Sequence, residues 1–403
     1  MSTSAVQQRV AVTVFPITSS YDVVGKVPSR FDGEDDVVLL ELVKAGKDKE
    51  VRSILSKGDY RDRNYRDGLG RTALHWATEY GYVHFVKLLV EHKWDINSQD
   101  NKLQTPLHVA CNHRGTETAL YFISNGCDIN ILDGNGNSPL QRAIHNNMEE
   151  VFYFLCESGA NVNSKNKNLW CPLHEAVRVG NENIVRRLIR RGADVNAVTE
   201  YKANPFSTAI FYYRIALKNS YSNLDSICRL LIDNGSYLSE WDGQWTPLMS
   251  TISLCNSYLA GLLLYHGCKI PTPAECGRSL IVEAFTRCDT NVVKLLIYCG
   301  YRVTPDEVEQ CNKRIPTFSR SFRRLAFSGI LDANTNGHKI ITWLRERSEN
   351  VAPLSELCRV SIRNSVNDGS RDKSIVDNIE NLPLPRCLKD YIALEDLSSL
   401  IPA

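Results

Sequence analysis

Apolar residues recur along most of the chain in short blocks, and their spacing predicts pairs of amphipathic helices. In the block from Thr72 to Val90, apolar side chains fall three and four residues apart, as they do along one face of an α-helix. The block holds a first apolar run after Thr72 and a later VKLLV run, so we expect a pair of helices. Thr72 opens the block and is of a residue type that caps helix N-termini.

The block recurs with a fixed period of 33 residues. Four copies align without gaps, namely TALHWATEYG from Thr72, TPLHVACNHR from Thr105, SPLQRAIHNN from Ser138 and CPLHEAVRVG from Cys171. Their tails share an asparagine at the same interval, at Asn97, Asn130, Asn163 and Asn196. A period of this length is typical of a solenoid, in which each helix pair buries its apolar face against its neighbours.

The residues at the edges of each block predict where the helices begin and end. Proline follows the capping residue in three copies, and proline is tolerated in the first helical turn because no backbone N–H is needed there. A glycine follows the second helix in three of the four copies, at Gly126, Gly159 and Gly192, and allows a left-handed exit. Asp133-Gly134 and Asp242-Gly243 are turn dipeptides, so we expect a projecting turn between successive helix pairs.

Weaker copies extend the array in both directions. The segment from Asp36 to Asn64 predicts an N-terminal cap of two short helices. NPFSTAI, TPLMSTIS and SLIVEAF start further units at Asn204, Thr246 and Ser279. Gly235 lies 43 residues after Gly192, so the unit from Asn204 holds ten extra residues that would interrupt a smooth face. We therefore expect a disordered tail at 1–35, about seven repeats plus the cap at 36–302, a helical linker or C-terminal cap at 303–349, and a further module at 350–398.

Composition and charge favour a protein partner over nucleic acid or membrane. The formal net charge is +1, from 47 basic and 46 acidic residues, which gives no electrostatic reason to bind polyanions. The 13 cysteines are odd in number and contain no C-x-x-C pair, which indicates reduced thiols rather than a disulfide framework. With no apolar run long enough to span a bilayer, we expect a cytoplasmic protein that is also found in the nucleus.

Motifs for catalysis or metal binding are absent from the sequence. His174-Glu175 begins like a zinc-protease motif, but Arg178 stands where the second histidine is needed. His75, His108 and His174 occupy the same repeat position, so we predict that each makes structural hydrogen bonds. No catalytic residue, metal ligand or cofactor is predicted, and the chain is expected not to be an enzyme.

The T-P-L-H-x-A start and the 33-residue period resemble the ankyrin repeat. The resemblance implies an all-α solenoid of helix-turn-helix repeats with β-turn fingers, which binds proteins through its turn tips and first helices. Matching positions in this chain are Arg71, Gln104, Asn137, Trp170 and Trp245 before the helices, and Glu79, Tyr80, Asn112, His113, His145, Asn146, Arg178 and Val179 within them. For Trp170 and Trp245 two interpretations stay open: an exposed binding anchor, or a ring packed on a neighbouring turn.

Two motifs after residue 350 resemble a SOCS box. PLSELCRVSI places Leu354, Cys358 and Ile362 at four-residue intervals, which is one helical stripe. The spacing resembles the elongin-binding box, and the resemblance assigns elongin contact to Leu354, Leu357, Cys358, Ser361 and Ile362. The later segment is similar to the part of the SOCS box that selects cullin-5, which assigns that contact to Ile379, Leu382, Pro383, Leu384, Pro385, Leu388 and Tyr391.

The two resemblances together imply a substrate receptor of a ubiquitin ligase. In such a receptor the SOCS box recruits elongin B, elongin C and cullin-5 with its RING partner, while the ankyrin surface holds a target protein. Two alternatives remain: a plain ankyrin scaffold that engages no cullin, and an enzyme within 301–350, which the lack of any acid, base or nucleophile constellation there disfavours. The sequence does not identify the target.

Overall fold

The computed structural model describes residues 35–57, 65–215, 224–238, 246–254, 256–273, 277–287, 290–321 and 341–348. Residues 1–34 of the predicted tail at 1–35, most of the predicted insertion (216–223), Trp245 and the whole of 349–403 lie outside these ranges. The elongin-binding and cullin-binding predictions therefore fall on residues that the structure does not describe.

Helices dominate the described residues, which confirms the all-α prediction. In chain order they are α1 Asp35–Lys44, α2 Asp48–Lys57, α3 Ala73–Glu79, α4 Val83–Glu91, α5 Pro106–Asn112, α6 Thr116–Ser124, α7 Pro139–His145, α8 Glu149–Glu157, α9 Pro172–Val179, α10 Glu182–Arg190, α11 Pro205–Ile215, α12 Leu224–Asp233, α13 Pro247–Ser253, α14 Ser257–Tyr265, α15 Leu280–Thr286, α16 Thr290–Tyr298 and α17 Pro305–Ser321. A further helical segment runs from 341 to 348.

The helices pack as pairs that stack into two rows. The first helices, α1 to α15 in odd numbers, each contact the next, and α17 continues their row. The second helices form a parallel row, with contacts from α4 through α8 and from α10 through α16. The core lies between the rows, where second helices contribute the fully buried rings of Phe85, Phe122 and Phe152. Each pair therefore depends on its neighbours for a core.

Capping residues start the first helices as the sequence predicts. Thr105 accepts a hydrogen bond from the backbone N–H of His108, and Pro106 occupies the first helical position. Ser138, Thr246 and Ser279 accept equivalent bonds from the residue three places on. In the unit from Asn204, an asparagine replaces the capping Thr or Ser. Its amide oxygen accepts from the Ser207 N–H at 2.8 Å. The departure from the repeat pattern at that unit thus keeps its helix start.

The repeated histidine connects one repeat to the next. In His108, Nδ1 accepts from the Thr105 N–H at 3.2 Å, and Nε2 donates to the carbonyl oxygen of Asn137 at 3.1 Å. His75 and His174 donate in the same way to Gln104 and Ala203. These bonds confirm the structural role that the sequence predicts. Burial lowers the pKa of all three rings, in His174 to about 4.

Gln141 occupies the histidine position in the third of the four regular repeats and makes the same pair of bonds. Its amide oxygen accepts from the Ser138 N–H at 2.9 Å, and its amide nitrogen donates to the carbonyl oxygen of Trp170 at 2.8 Å. The position therefore requires one acceptor and one donor at fixed separation, and it does not require an ionisable ring.

Projecting turns, here called fingers, separate the helix pairs at 65–71, 98–104, 131–137, 164–170 and 197–203. An aspartate organises each of the first three. In the third, Asp133 Oδ1 accepts from the N–H groups of Asn135 and Asn137, both at 2.9 Å. The backbone also closes the turn, because Gly136 N–H donates to the carbonyl oxygen of Asp133 at 2.8 Å. Asp67 and Asp100 make equivalent contacts.

Consecutive fingers are joined by backbone hydrogen bonds. Four such bonds link the five fingers in order: Asn101 N–H to Leu69 O, Gly134 N–H to Lys102 O, Lys167 N–H to Asn135 O, and Glu200 N–H to Asn168 O. The periodic asparagines add a second ladder at the base, in which the side-chain oxygens of Asn97, Asn130 and Asn163 accept from backbone N–H groups of the next repeat. The fingers therefore form one continuous edge.

One residue in every finger adopts a left-handed backbone. The five positions are 33 residues apart and hold Gly70, Leu103, Gly136, Leu169 and Lys202, with φ between 55° and 79°. Glycine is the residue that this conformation favours, because a Cβ atom costs roughly 1 kcal/mol there. Two fingers nevertheless carry leucine at that position.

The segment 341–348 covers the last helix pair. Leu344 is fully buried, and the Trp343 ring lies 6.1 Å from the ring of Tyr298 on α16. Arg347 lies over the same tyrosine, with its guanidinium carbon 5.8 Å from the ring centre. The segment ends at residue 348, two residues before the further module that the sequence predicts at 350–398.

Candidate functional site

The first helices and the fingers together form the surface on which the sequence predicts target binding. Twelve of the thirteen positions predicted to bind a target lie in the described ranges: Arg71, Glu79, Tyr80, Gln104, Asn112, His113, Asn137, His145, Asn146, Trp170, Arg178 and Val179. Trp245, the thirteenth, lies outside them. All twelve are half-buried or exposed, and contacts between their side chains divide the surface into clusters.

An aromatic and charged cluster occupies the N-terminal part of this surface. Arg71 forms an ion pair with Glu79 and lies over the Trp76 ring, 4.8 Å from its centre. Lys44 approaches the same ring at 4.7 Å, and Tyr80 stacks on it at 5.7 Å. Tyr80 remains 48 % exposed, so the cluster offers an accessible aromatic side chain supported by cation–π contacts.

The sequence did not single out Trp76, which holds this cluster together. Its indole N–H donates to Asp67 Oδ2 at 2.8 Å, which fixes the ring beside the finger. The signal was its repeat position: the residue after the histidine or glutamine changes class from one repeat to the next, being Trp76, Val109, Arg142 and Glu175. Three of these residues, Trp76, Arg142 and Glu175, are half-buried at the edge of the surface, whereas Val109 is buried.

The central part of the surface is more polar and more engaged in the repeat framework. The Asn146 side chain donates to the carbonyl oxygen of Cys111 at 2.9 Å, which links two first helices. His113 is exposed and lies 3.9 Å from Glu79. The backbone carbonyl of Gln104 accepts the bond from His75, so this residue connects repeats and also borders the surface.

An ionic cluster bridges the next two first helices. His145 Nδ1 lies 2.6 Å from Glu175 Oε1, and Arg178 Nε donates to the same oxygen at 3.1 Å. Burial opposes ionisation of Glu175, but the bonds from His145 and Arg178 outweigh it and hold the pKa of that carboxyl below its usual value. The carboxylate is therefore charged at neutral pH, and its pairing leaves part of His145 facing solvent.

Trp170 lines a small recess beside this cluster. The cavity has a volume of about 40 Å³, room for little more than a water or a single polar group, and is lined by Asn137, Gln141, Arg142, His145, Asn166, Trp170 and Glu175. The Trp170 ring lies 5.4 Å from the His174 ring, yet its indole N–H has no hydrogen-bond partner among the described residues. The ring thus packs beside His174, borders residues of the preceding repeat and leaves one donor unused.

Chemical reactivity is not evident at this surface. The eight cysteines in the described ranges are free, and seven of them are buried. Burial raises the pKa of the Cys111 thiol to about 12, which keeps it protonated and unreactive. No group of three or more His, Cys, Asp or Glu is placed to hold a metal ion within the part of the chain that the structure describes.

Comparison with known families identifies both parts of the chain. The family model for ankyrin repeats (3 copies) matches residues 39–133 and 113–199, and the SOCS box model matches residues 350–393. The chain has the ASB family architecture of ankyrin repeats followed by a SOCS box. The predicted ankyrin solenoid is thereby confirmed, and the SOCS box match includes every residue assigned above to elongin or cullin contact.

The ASB architecture determines the general kind of activity. A SOCS box implies a role as an elongin B/C–cullin adaptor, and ankyrin repeats imply a protein-binding surface. Both are non-catalytic adaptor domains, and no catalytic family matches the chain. No curated protein matches the sequence. Across the described helices, none combines the length and apolarity needed to cross a membrane.

Proposed function

We propose that this chain is the substrate-recognition subunit of an elongin B/C–cullin-5–RING E3 ubiquitin ligase. The observation that carries the proposal is a SOCS box match at 350–393 in the same chain as a stacked ankyrin array. Its array holds a target protein, and its SOCS box recruits the machinery that ubiquitinates the target and sends it to the proteasome. Such a ligase acts in the cytoplasm or the nucleus, the compartments that we propose for it.

Elongin capture is assigned to the helical stripe at the start of the box. Leu354, Cys358 and Ile362 are spaced so that their side chains share one helix face. A leucine supplies the large apolar anchor, and the small thiol of Cys358 permits close approach of a partner surface. Leu357 and Ser361 flank the stripe and complete the contact.

Cullin-5 selection is assigned to the Leu-Pro pairs. Pro383 and Pro385 fix φ and keep the strip extended, so Leu382 and Leu384 lose little conformational entropy when they bind. Ile379 precedes the strip, and Leu388 and Tyr391 follow it at helical spacing.

Target binding is assigned to the first-helix and finger surface described above. The accessible Tyr80 on its Trp76 support and the half-buried Trp170 are the aromatic anchors, a residue class enriched in binding hot spots. The ion pairs at Arg71 and Arg178 hold charged side chains in place beside them. A rigid surface of this kind needs little reorganisation on binding.

Capture of elongin B/C tests the proposal directly. Leu354→Arg combined with Cys358→Phe places charge and bulk on the stripe and should abolish co-purification of elongin B/C. Glu356→Ala, two residues along and therefore on another face of the helix, should leave it unchanged. Thermal unfolding of the array serves as the folding control for all variants. Retained capture by the double variant would refute the assignment of the box.

Cullin-5 binding separates a ligase from a scaffold. Pro383→Ala with Pro385→Ala should weaken cullin-5 binding while elongin B/C stays bound, because the strip loses its fixed extended shape. Pro402→Ala, beyond the matched range, is the control. A wild-type chain that binds elongin B/C without cullin-5 would favour the alternative function, an ankyrin scaffold that directs no ubiquitination.

A further inference from the structure

The finger edge exposes more large apolar side chains than any other part of the described structure. Ten large apolar side chains in the described ranges are substantially exposed, and six of these lie at or beside the fingertips. We call these six the fingertip strip: Leu69, Leu103, Leu132, Leu169, Val198 and Tyr201. Tyr201 is 74 % exposed and Leu69 is 56 % exposed. Apolar side chains gathered along one edge in this way are typical of an interaction site.

The strip is continuous because the fingers are bonded to one another. The Leu69 carbonyl accepts from the Asn101 N–H at 3.0 Å, and equivalent bonds connect each later pair of fingers. Packed helices lie about 8–10 Å apart, so the four intervals between the five fingers extend over roughly 40 Å. An extended peptide of about 12 residues covers this length.

Two residues of the strip, Leu103 and Leu169, have a left-handed backbone conformation that disfavours leucine. Leu103 and Leu169 have φ of 55° and 57°, and the equivalent residues Gly70 and Gly136 show what an unstrained turn contains. The two leucines also leave about half of their surface in water. A side chain that is strained and exposed at once contributes little to the fold, and strained residues concentrate at functional sites.

Unpaired positive charge accompanies the apolar side chains. Lys102, Lys165, Lys167 and Lys202 are exposed, and none of their ammonium groups forms an ion pair within the described residues. The finger aspartates are occupied within their turns, as Asp133 is by backbone N–H groups and Arg142. Among the residues of these five fingers, only Glu200 adds an exposed carboxylate. The edge is therefore apolar and cationic together.

We propose that the fingertip strip binds an extended target segment that carries both large apolar residues and Asp or Glu. Apolar side chains of the segment pack between the tips, and its carboxylates pair with the four lysines. The inference gives the chemical class of the segment that the target presents, and it rests on the proposed function of the chain as a substrate receptor. The negative charge of the partner follows from the four lysines, since they would repel a basic segment.

Selection from a peptide library tests the proposal without knowledge of the target. The full-length chain is immobilised and used to select from displayed random peptides of about 12 residues. We expect enrichment of peptides that combine Leu, Ile, Phe or Trp with Asp or Glu. Their affinity should fall as salt rises, because exposed charge pairs are screened.

Two variants connect that binding to the strip. Leu103→Gly with Leu169→Gly removes both strained side chains while keeping a residue that favours the turn, so the array stays folded and affinity should fall by at least about tenfold. Phe154→Ala, which removes an exposed ring from α8 on the other row, should not change it. Lys165→Glu with Lys167→Glu should shift selection toward peptides with Lys or Arg.

Three results would overturn the inference. These are selected peptides without acidic residues, affinity that is unchanged in the Leu103 and Leu169 variant, and tight binding of a synthetic peptide of residues 10–17, VAVTVFPI. The last result would assign the strip to the chain's own N-terminal segment. Elongin B/C capture is measured on the same preparations, so a chain that captures elongin but fails these tests loses only this inference, and one that fails capture loses the ligase proposal.

Discussion

At the scale of single residues, a buried hydrogen-bonding side chain decides how one repeat is attached to the next. His174 donates to Ala203 across the repeat boundary and accepts from the N–H of Cys171 at 3.3 Å within its own repeat. The ring can make both bonds at once only when it is neutral with its proton on Nε2, because a protonated ring has no acceptor at Nδ1. Gln141 makes the same two bonds without an ionisable group. Acid can therefore break the bonds at a repeat boundary held by histidine but not those at the boundary held by Gln141.

Acid should therefore destabilise the array through its histidines. Burial lowers the pKa of His174 to about 4, whereas an unfolded histidine titrates near 6.5. The unfolded chain binds more protons between these values. The stabilisation contributed by this ring is therefore complete above pH 6.5 and is lost as pH drops toward 4. Each such ring contributes a slope of at most about 1.4 kcal/mol per pH unit.

His174→Gln should remove the contribution of that ring while keeping both hydrogen bonds, as Gln141 shows. The measurement is urea unfolding between pH 7 and 4 of the wild type and the variant, and the difference should appear only below pH 6.5. His174→Ala is the control, because it leaves two buried backbone groups without partners and should lower stability at every pH. An equal acid loss in wild type and His174→Gln would contradict the explanation.

At the scale of elements, each finger is stabilised by its own turn and by the finger before or after it. The third finger is closely confined at this position, because an added Cβ at Gly136 would lie 3.0 Å from the backbone nitrogen of Lys167. Its φ of 79° also belongs to the left-handed region. In the fourth finger the same conformation is held by Leu169, which the surroundings accommodate.

Gly136→Ala should lower the free energy of unfolding by about 1–3 kcal/mol, through left-handed strain together with crowding against the fourth finger. Leu169→Gly at the equivalent position should change stability by less than about 1 kcal/mol, since relief of strain and the added freedom of the unfolded chain offset each other. Denaturant unfolding measures both variants. A smaller loss for Gly136→Ala than for Leu169→Gly would mean that contact between the fingers does not confine this turn.

At the scale of the whole molecule, the stacked repeats contact only their neighbours, so stability varies along the chain. The last helix pair is covered by α17, which packs on α15, and by the segment 341–348, in which Ile341 and Leu344 are buried. Tyr298 on α16 is held from the same side by Trp343 and Arg347. The last repeat is therefore stabilised by a segment that directly precedes the SOCS box in the sequence.

Leu344→Ala should open that end of the array and leave the centre intact. Removing a fully buried leucine costs about 2–5 kcal/mol, and in a solenoid the loss is local. Hydrogen exchange should accelerate in α15 and α16 while α5 to α8 keep their protection. Arg345→Ala, an exposed position in the same segment, is the control. Uniform acceleration along the whole array would show that the repeats unfold as one unit.

Much of the fold could be predicted from the sequence because the information is local. The capping residues at Thr105 and Ser138, the prolines after them and the 33-residue period each act within one repeat. The histidine role was also predictable, since a polar residue repeated at one position must have a repeated partner. The exchanged pair at Asn204 and Ser207 was less evident, because it keeps the geometry of a cap while changing its chemistry.

The surface was less predictable because exposure depends on neighbouring repeats. The role of Trp76 was not predictable, since its cation–π contact comes from Lys44 in the preceding helix pair, which the sequence of its own repeat does not reveal. Leu103 and Leu169 read as ordinary apolar residues in the sequence, and only the backbone shows that both are left-handed and exposed. Spacing identifies which positions vary, whereas packing between repeats decides which of them reach solvent.

The closed turn of the third finger also bears on chemical ageing of the protein. Asn135-Gly136 is the dipeptide most prone to deamidation, a reaction in which the glycine backbone nitrogen attacks the asparagine side chain to form a succinimide. That nitrogen donates its proton to the Asp133 carbonyl at 2.8 Å, so the closed turn keeps the attacking atom engaged in a hydrogen bond. A folded array should keep its amide here during long storage, whereas an unfolded chain would acquire a new carboxylate beside the lysines of the finger edge.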